Sequence, residues 1–84
     1  MRYTVRLKPS ADHALSKLAR DAQARILDKL DQLAQNPFPA GVEKMQDEPG
    51  YRIRVGDYRI VYDVLHREVT VFVIRIGHRR EVYR

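Results

Sequence analysis

The stretch from Tyr51 to Tyr62, YRIRVGDYRIVY, constrains the fold most, because two alternating apolar runs flank a two-residue turn. Glycine at the first turn position, Gly56, favours a type II′ β-hairpin. A two-residue turn sets the register of the strands, so the expected cross-strand pairs are Val55 with Tyr58, Arg54 with Arg59, Ile53 with Ile60, Arg52 with Val61, and Tyr51 with Tyr62. Successive side chains alternate between faces, so the tyrosines and most aliphatic residues share one predicted core face.

The other face of the predicted hairpin carries Arg52, Arg54 and Arg59. Like charges directly opposite each other destabilise a sheet, so the pairing of Arg54 with Arg59 has a cost that a bound anion would relieve. Guanidinium groups bind phosphate in a planar, bidentate geometry. We therefore predict a phosphate-binding surface on a rigid hairpin. The alternative is a set of three solvated arginines on an outer face.

Positive charge is concentrated in the second half of the chain. The 84 residues carry a net charge of +5, and residues 50–84 contain eight arginines, no lysine and four acidic residues. An arginine-only basic half favours phosphate recognition over a diffuse point-charge surface. The absence of cysteine excludes disulfides and is compatible with a reducing compartment. Without a visible signal peptide or an apolar run of about 20 residues, we expect a cytoplasmic protein with a single domain, residues 1–84.

The first half of the chain predicts a strand followed by two helices. Residues 2–8 alternate in polarity as a half-buried strand does. Ser10 is the expected N-cap of the first helix, and Asp21 is the expected cap of a second helix that ends at Asn36 and Pro37.

The second half predicts a sheet. Residues 37–50 have no clear period and are expected to form a loop. Residues 68–76 are apolar on both faces and belong in the middle of a sheet, with Gly77 ending the strand. The resulting prediction is an α+β fold: an N-terminal strand and a helical hairpin packed on one face of a mainly antiparallel sheet of four to five strands. The opposite face is expected to be an open, arginine-rich concavity.

The last seven residues, HRREVYR, hold the few remaining groups that could move protons. Metal-free RNA cleavage by attack of a 2′-OH on its own 3′-phosphate needs a proton acceptor, cations around the transition state and help for the leaving 5′-oxygen. Arginine can serve only the second role, because it does not deprotonate. Tyr83 and His78 are the local candidates for the other two, and guanidinium groups near Tyr83 would lower its pKa by favouring the phenolate. No metal-ligand spacing or glycine-rich phosphate loop is present, so neither metal nor cofactor is expected.

Two motifs, GYRIRVGDYRIVYDV at residues 50–64 and VIRIGHRREVY at residues 73–83, resemble those of RelE-type toxins of the RelE/ParE superfamily. The resemblance implies a RelE-like, microbial-RNase-like fold. It also implies a type II toxin that is a ribosome-dependent mRNA endoribonuclease, cuts messages in the A site and is neutralised by a small cognate antitoxin. The matching positions imply phosphate-binding and transition-state roles for Arg52, Arg54, Arg59 and Arg79, and proton transfer by Tyr83.

Arg80 and Lys44 are further candidates for RNA binding, Lys44 because it could face the same surface as the arginines. The implied partners are the antitoxin, the ribosome and mRNA, and the toxin–antitoxin complex can bind its own operator DNA. This chain departs from the family in two ways. The best-known members have lysines at the positions of Arg52 and Arg54. Some relatives continue further beyond the residue that matches Tyr83.

Two other functions remain open. One is a ParE-like toxin that has the same general fold and poisons DNA gyrase. The other is a non-catalytic relative that binds RNA or antitoxin. The sequence GHRREVY favours the ribonuclease, because ParE-type chains generally lack the terminal tyrosine and the matching arginines.

Overall fold

The computed structural model describes residues 2–78, which form a helical hairpin on one face of a five-stranded sheet. The elements in chain order are β1 (Thr4–Leu7), α1 (Pro9–Ser16), α2 (Arg20–Gln35), β2 (Glu43–Lys44), β3 (Tyr51–Val55), β4 (Tyr58–Leu65), a 3-10 turn (His66–Glu68) and β5 (Thr70–His78). The strand order is β1-β5-β4-β3-β2. Strands β1 and β5 run parallel, and the other neighbouring strands run antiparallel. The predicted α+β fold is confirmed. No helix within residues 2–78 is long and apolar enough to cross a membrane.

The hairpin of β3 and β4 has the predicted register at all five positions, from Tyr51 opposite Tyr62 to Val55 opposite Tyr58. Gly56 has a φ of +59°, whereas Asp57 does not have a positive φ. A positive φ at the first turn position alone is the requirement of a type II′ turn. Local turn chemistry therefore sets the pairing of the whole hairpin.

The hydrophobic core lies between the helices and the inner face of the sheet. Helix α2 buries one stripe, which includes Ile26, Leu30 and Leu33, as expected for apolar residues spaced three and four apart. These side chains pack with residues from the three central strands: Ile53, Val55, Ile60, Tyr62, Val64, Val71, Val73 and Ile76. The two helices cover the sheet face that the alternation of β3 and β4 makes apolar.

Both predicted helix caps are wrong. Helix α1 begins at Pro9 with Lys8 as its N-cap, so Ser10 lies inside the first turn. The first N–H groups of a helix have no acceptor within the helix. Proline has no N–H, so it suits this first position. Helix α2 begins at Arg20 with Ala19 as its N-cap, and Asp21 lies in its first turn. There its negative charge still faces the positive end of the helix dipole.

The segment predicted as a loop, residues 37–50, contains the two-residue strand β2. Glu43 and Lys44 pair with Arg52 and Tyr51, which makes β2 an edge strand. Two residues are too few for alternation to be visible in the sequence. Strand β5 lies between β1 and β4, as its two apolar faces predict, but it continues through Gly77 to His78.

Strand β5 contains an irregularity that changes which residues share a face. Tyr62 lies opposite Val73, but Val61 lies opposite Arg75, so Ile74 has no partner on β4. One extra residue in a strand shifts the alternation beyond it. Ile76 therefore joins the core with Val71 and Val73, whereas uninterrupted alternation along the strand would place it on the opposite face.

Gly50, directly before β3, gives the first stability prediction. Its φ is +107°, and a Cβ built there would lie 2.6 Å from the backbone oxygen of Tyr62. We expect Gly50→Ala to lower the free energy of unfolding by about 2–4 kcal/mol, because backbone strain adds to a clash that no side chain can relieve. Gly41→Ala is the matched control, since Gly41 has a φ of +90° but no atom within 4 Å of the added Cβ. Equal losses for both variants in urea unfolding would show that the clash contributes nothing.

The buried phenol of Tyr62 gives the second prediction. Its hydroxyl donates a hydrogen bond of 2.5 Å to the carbonyl oxygen of Pro37, which connects β4 to the end of α2. Tyr62→Phe should cost about 1–3 kcal/mol, because that carbonyl loses its buried donor. Tyr51→Phe is the control at a less buried ring.

The same phenol predicts a loss of stability in alkali. Burial, followed by the nearby charge of Tyr51, raises the pKa of Tyr62 above its ordinary value. A raised pKa in the folded state means that the unfolded chain loses its proton first, so stability falls once the pH exceeds about 10. Urea unfolding from pH 8 to 11 should show a smaller loss for Tyr62→Phe than for the wild type. Parallel losses would contradict this assignment.

Candidate nucleic-acid interface

Five arginines lie on the sheet face opposite the helices. Arg6 is on β1, opposite Phe72. The other four form the surface that we call the arginine face: Arg52, Arg54, Arg59 and Arg75. Alternation along β3 and β4 directs the first three away from Ile53 and Ile60, which are core residues. Arg75 lies opposite Val61 because the irregularity at Ile74 shifts the end of β5. Simple alternation in the sequence would place Arg75 with Val71 and Val73, so its membership of the arginine face was not predicted.

Arg59 is buried, with 2% of its surface exposed. It lies on the central strand β4, opposite Arg54 on one side and Gly77 on the other. Gly77 has no side chain, which leaves room beside the guanidinium. One guanidinium nitrogen, Nη1, donates to the carbonyl oxygen of Tyr58 at 3.3 Å. The prediction of a fully open surface is therefore wrong at Arg59, which is held inside the sheet face and is not solvated.

Arg54 is exposed and lies directly across from Arg59. Within residues 2–78, no carboxylate forms an ion pair with Arg54. The predicted like-charge pair is thus present, with one member buried and the other open to solvent. This arrangement concentrates positive charge at the end of the hairpin that carries the Gly56 turn, where an anion could contact Arg54.

The other two arginines of the face have acidic partners. Arg52 lies opposite Glu43, with 3.5 Å between its Nη2 and a carboxylate oxygen, and Arg75 forms an ion pair with Glu48. Such partly exposed pairs are weak in water. Because of these ion pairs, the part of the arginine face around Arg52 and Arg75 is less positive than the part around Arg54 and Arg59.

The strand pairing of Lys44 does not meet the prediction that Lys44 faces the same surface as the arginines, although Lys44 lines a small pocket with Arg52. It is opposite Tyr51, and directly opposed side chains of an antiparallel pair share a face, so Lys44 projects to the side of Tyr51. Glu43 takes the place beside Arg52. The pairing of β2 with β3 determines that Glu43, and not Lys44, is opposite Arg52. The sequence alone does not show this pairing.

His78 also lies on the other side of the sheet. It is opposite Tyr58, and the two rings are 5.8 Å apart between centroids and inclined at 79°. Tyr58 packs against the core cluster, so His78 shares the helical face and does not join the arginine face. The expectation that His78 lies with Arg52, Arg54 and Arg59 is therefore not met, because of the shift at Ile74.

The remaining predicted site residues, Arg79, Arg80 and Tyr83, lie outside the residues that the structure describes. The described part of the predicted site is therefore Arg52, Arg54 and Arg59, joined by Arg75. No group of three or more His, Cys, Asp or Glu side chains within residues 2–78 could hold a metal ion. The arginine face can bind and neutralise phosphate, whereas proton transfer requires groups outside the face.

Comparison with known proteins agrees with this geometry. A family model described as the ParE toxin of the type II toxin–antitoxin system matches residues 5–83. The chain is 30% identical to toxin RelG of Mycobacterium tuberculosis over 86 residues, which cover 100% of this chain and 99% of RelG. It is 27% identical to a putative RelE-like toxin protein of Escherichia coli, covering 94% of this chain and 85% of that protein.

Solved structures give the same assignment. A toxin–antitoxin RelBE complex from Mycobacterium tuberculosis contains a chain that superposes with a TM-score of 0.82 at 27% identity, covering 93% of this chain and 99% of that one. A mutant of Escherichia coli toxin RelE in the free state superposes with a TM-score of 0.81 at 30% identity, covering 99% and 92%. The chain belongs to the ParE toxin family of type II toxin–antitoxin systems, within the RelE/ParE superfamily.

Proposed function

We propose that the chain is a ribosome-dependent mRNA endoribonuclease that inhibits translation. The observation that carries this proposal is the opposed pair Arg54 and Arg59 on a rigid hairpin, with Arg59 buried and Arg54 exposed. A sheet accepts the repulsion of two opposed cations at a cost, and a bound phosphodiester relieves it. The names of the relatives, RelG and RelE-like toxin, support the same function.

In the proposed reaction, the 2′-OH of the message attacks the adjacent phosphate, and the bond to the 5′-oxygen breaks. Arg59 and Arg54 neutralise the charge that builds on the phosphate oxygens, which is where fixed cations lower a barrier most. Arginine keeps its proton, so it cannot exchange protons with the hydroxyls. We assign the acceptance of the 2′-OH proton to Tyr83 and further phosphate binding to Arg79 and Arg80. No metal takes part in this reaction.

The proposed partners follow from the function and from the relatives. RelE toxins occur in solved complexes with RelB antitoxins in Escherichia coli and Pyrococcus horikoshii. We propose a cognate antitoxin for this chain as well, together with the ribosome and mRNA as targets, in the cytoplasm. Binding of operator DNA by the toxin–antitoxin complex belongs to the same proposal.

Expression of the toxin without its antitoxin tests the proposal. New mRNA 5′ ends should appear within minutes in translated reading frames and be absent from a message whose start codon is removed. Co-expression of the antitoxin should abolish them. Cleaved chromosomal DNA that is stabilised on gyrase, with intact messages, would overturn the proposal in favour of a ParE-like target, and growth without either lesion would favour a non-catalytic binding protein.

Salt dependence gives a prediction for the arginine face. Ribosome affinity should fall steeply between about 50 and 200 mM salt, because each neutralised phosphate releases counterions. Arg54→Ala should reduce the slope of log K against log salt by about one phosphate contact, whereas Lys29→Met, on α2, should leave the slope unchanged. Sedimentation of the toxin with ribosomes that carry a message with a 2′-deoxynucleotide at the cleavage site, which cannot be cut, measures both variants. Equal slopes for the wild type and Arg54→Ala would exclude Arg54 from the interface.

A further inference from the structure

A second concave surface lies on the helical side of the sheet, away from the arginine face. It is a cavity of about 460 Å³ between the C-terminal part of α1 and the ends of β4 and β5. Its lining consists of His13, Ala14, Lys17, Leu18, Tyr58, Ile76, Gly77 and His78. This volume is within the range of about 300–1,000 Å³ that is typical of sites for small ligands.

The lining has basic groups at one side, and none of its residues within positions 2–78 carries a carboxylate. His13 lies in the last turn of α1, and Lys17 follows as the C-cap of that helix. Both side chains are exposed, so an anion from solvent can reach them. The positive charge of Lys17 also offsets the partial negative charge at the end of the helix.

The opposite side of the cavity is aromatic and apolar. The rings of Tyr58 and His78 form a corner with an interplanar angle of 79°, and Leu18 and Ile76 supply aliphatic surface. Flat aromatic ligands pack favourably on such rings, and a planar base has a face and an edge for the two walls. The cavity thus has a cationic side chain at its opening and two aromatic rings inside. This combination suits a ligand that contains both a phosphate and a planar base.

The cavity is adjacent to the arginine face along both strands. Tyr58 precedes Arg59 on β4, and His78 follows Gly77 on β5, while Arg59 and Gly77 are directly opposed. Alternation places these neighbouring pairs on opposite sides of the sheet. A polynucleotide that passes around the hairpin end could therefore contact Arg54 on one side and the cavity on the other.

We propose that this cavity binds a single nucleotide, with its phosphate at Lys17 and His13 and its base at Tyr58 and His78. An acidic side chain of a protein segment is a weaker fit, because it would leave most of the cavity and its ring corner unfilled. The proposal deepens the proposed function by adding a nucleotide contact, but binding is measurable without cleavage. The chain could thus fail as a nuclease and still bind at this site.

Titration of the full-length protein with adenosine monophosphate tests the site. Backbone amide signals of Ala14, Leu18 and Gly77 should shift and saturate in two-dimensional NMR spectra. Lys17→Met should weaken this binding by about tenfold, the effect expected for loss of one charged hydrogen-bonding partner, and His13→Gln should weaken it further. Lys29→Met removes the same charge outside the cavity and should leave the affinity unchanged. Both replaced residues of the site are exposed, so the variants should remain folded.

Two ligand controls make the result decisive. Inorganic phosphate should bind at least about tenfold more weakly than adenosine monophosphate if the ring corner holds the base. The proposal is overturned by equal affinity for phosphate, by nucleotide-induced shifts confined to Arg52 and Arg54, or by saturation of the cavity by a glutamate-rich peptide but not by the nucleotide. It is also overturned if Lys17→Met binds as the wild type does.

Discussion

Tyr83→Phe is expected to slow single-turnover cleavage of ribosome-bound mRNA by about 10²–10⁴-fold, the usual contribution of a general acid–base group. The substitution keeps the aromatic ring and removes only the hydroxyl. Because arginine cannot accept the 2′-OH proton, the arginine face supplies no substitute for this group. Folding and ribosome binding should be nearly unchanged, since neither depends on proton transfer.

The measurement uses programmed ribosomes with toxin in excess, so that the observed rate reports the chemical step. An ordinary tyrosine pKa of about 10 leaves little phenolate at neutral pH, and the phenolate fraction grows as the pH rises toward that value. The wild-type rate should therefore rise with pH, and the residual rate of Tyr83→Phe should not follow that rise. Wild-type cleavage by Tyr83→Phe would exclude the tyrosine as proton acceptor.

His78→Ala is the matched control. His78 lies on the helical face opposite Tyr58, away from Arg54 and Arg59. When the toxin saturates the ribosomes, we therefore expect a much smaller effect on the rate of the chemical step than that of Tyr83→Phe, and any loss from the cavity contact of His78 should affect binding instead. If the two variants lose the same activity, the histidine shares in the proton transfer, and the assignment to Tyr83 alone is wrong.

Arg59→Ala is expected to produce the second large effect, a loss of about 10²–10³-fold in the rate of cleavage, comparable with removal of one fixed group that stabilises a charged transition state. Its burial and its bond to the carbonyl of Tyr58 restrict the orientation of the guanidinium. A cation fixed before the reaction needs no reorganisation as charge develops on the phosphate. Arg54→Ala should mainly weaken binding, because the exposed side chain of Arg54 is free to move.

Arg59→Lys separates charge from geometry. Lysine keeps the positive charge but lacks the planar, bidentate group, so we expect only partial recovery of the rate. Urea unfolding of each variant shows whether it remains folded under the assay conditions, since a change at a buried charge can also affect stability. A folded Arg59→Ala variant that cleaves at the wild-type rate would remove Arg59 from the mechanism.

The sequence alone predicts what depends on local rules. The turn at Gly56 and the alternation on either side specify the β3–β4 register, and hence the opposition of Arg54 to Arg59. The stripe of α2 and the two apolar faces of β5 likewise predict which elements pack and which strand is central. These properties follow from the helix period of 3.6 residues, the strand period of 2 residues and the type II′ turn. Each of these signals lies within a short segment of the sequence.

The tertiary structure decides what depends on pairing between distant segments. The extra residue at Ile74 appears only when β5 is aligned with β4, and this one shift brings Arg75 onto the arginine face and removes His78 from it. The pairing of β2 with β3 similarly places Glu43, and not Lys44, directly opposite Arg52. Arg59 is buried on β4, a strand that becomes central only through its pairing with β3 and β5, which no single segment encodes. A shift of one residue exchanges the two faces of a strand, so small differences in long-range pairing determine which side chains form the site.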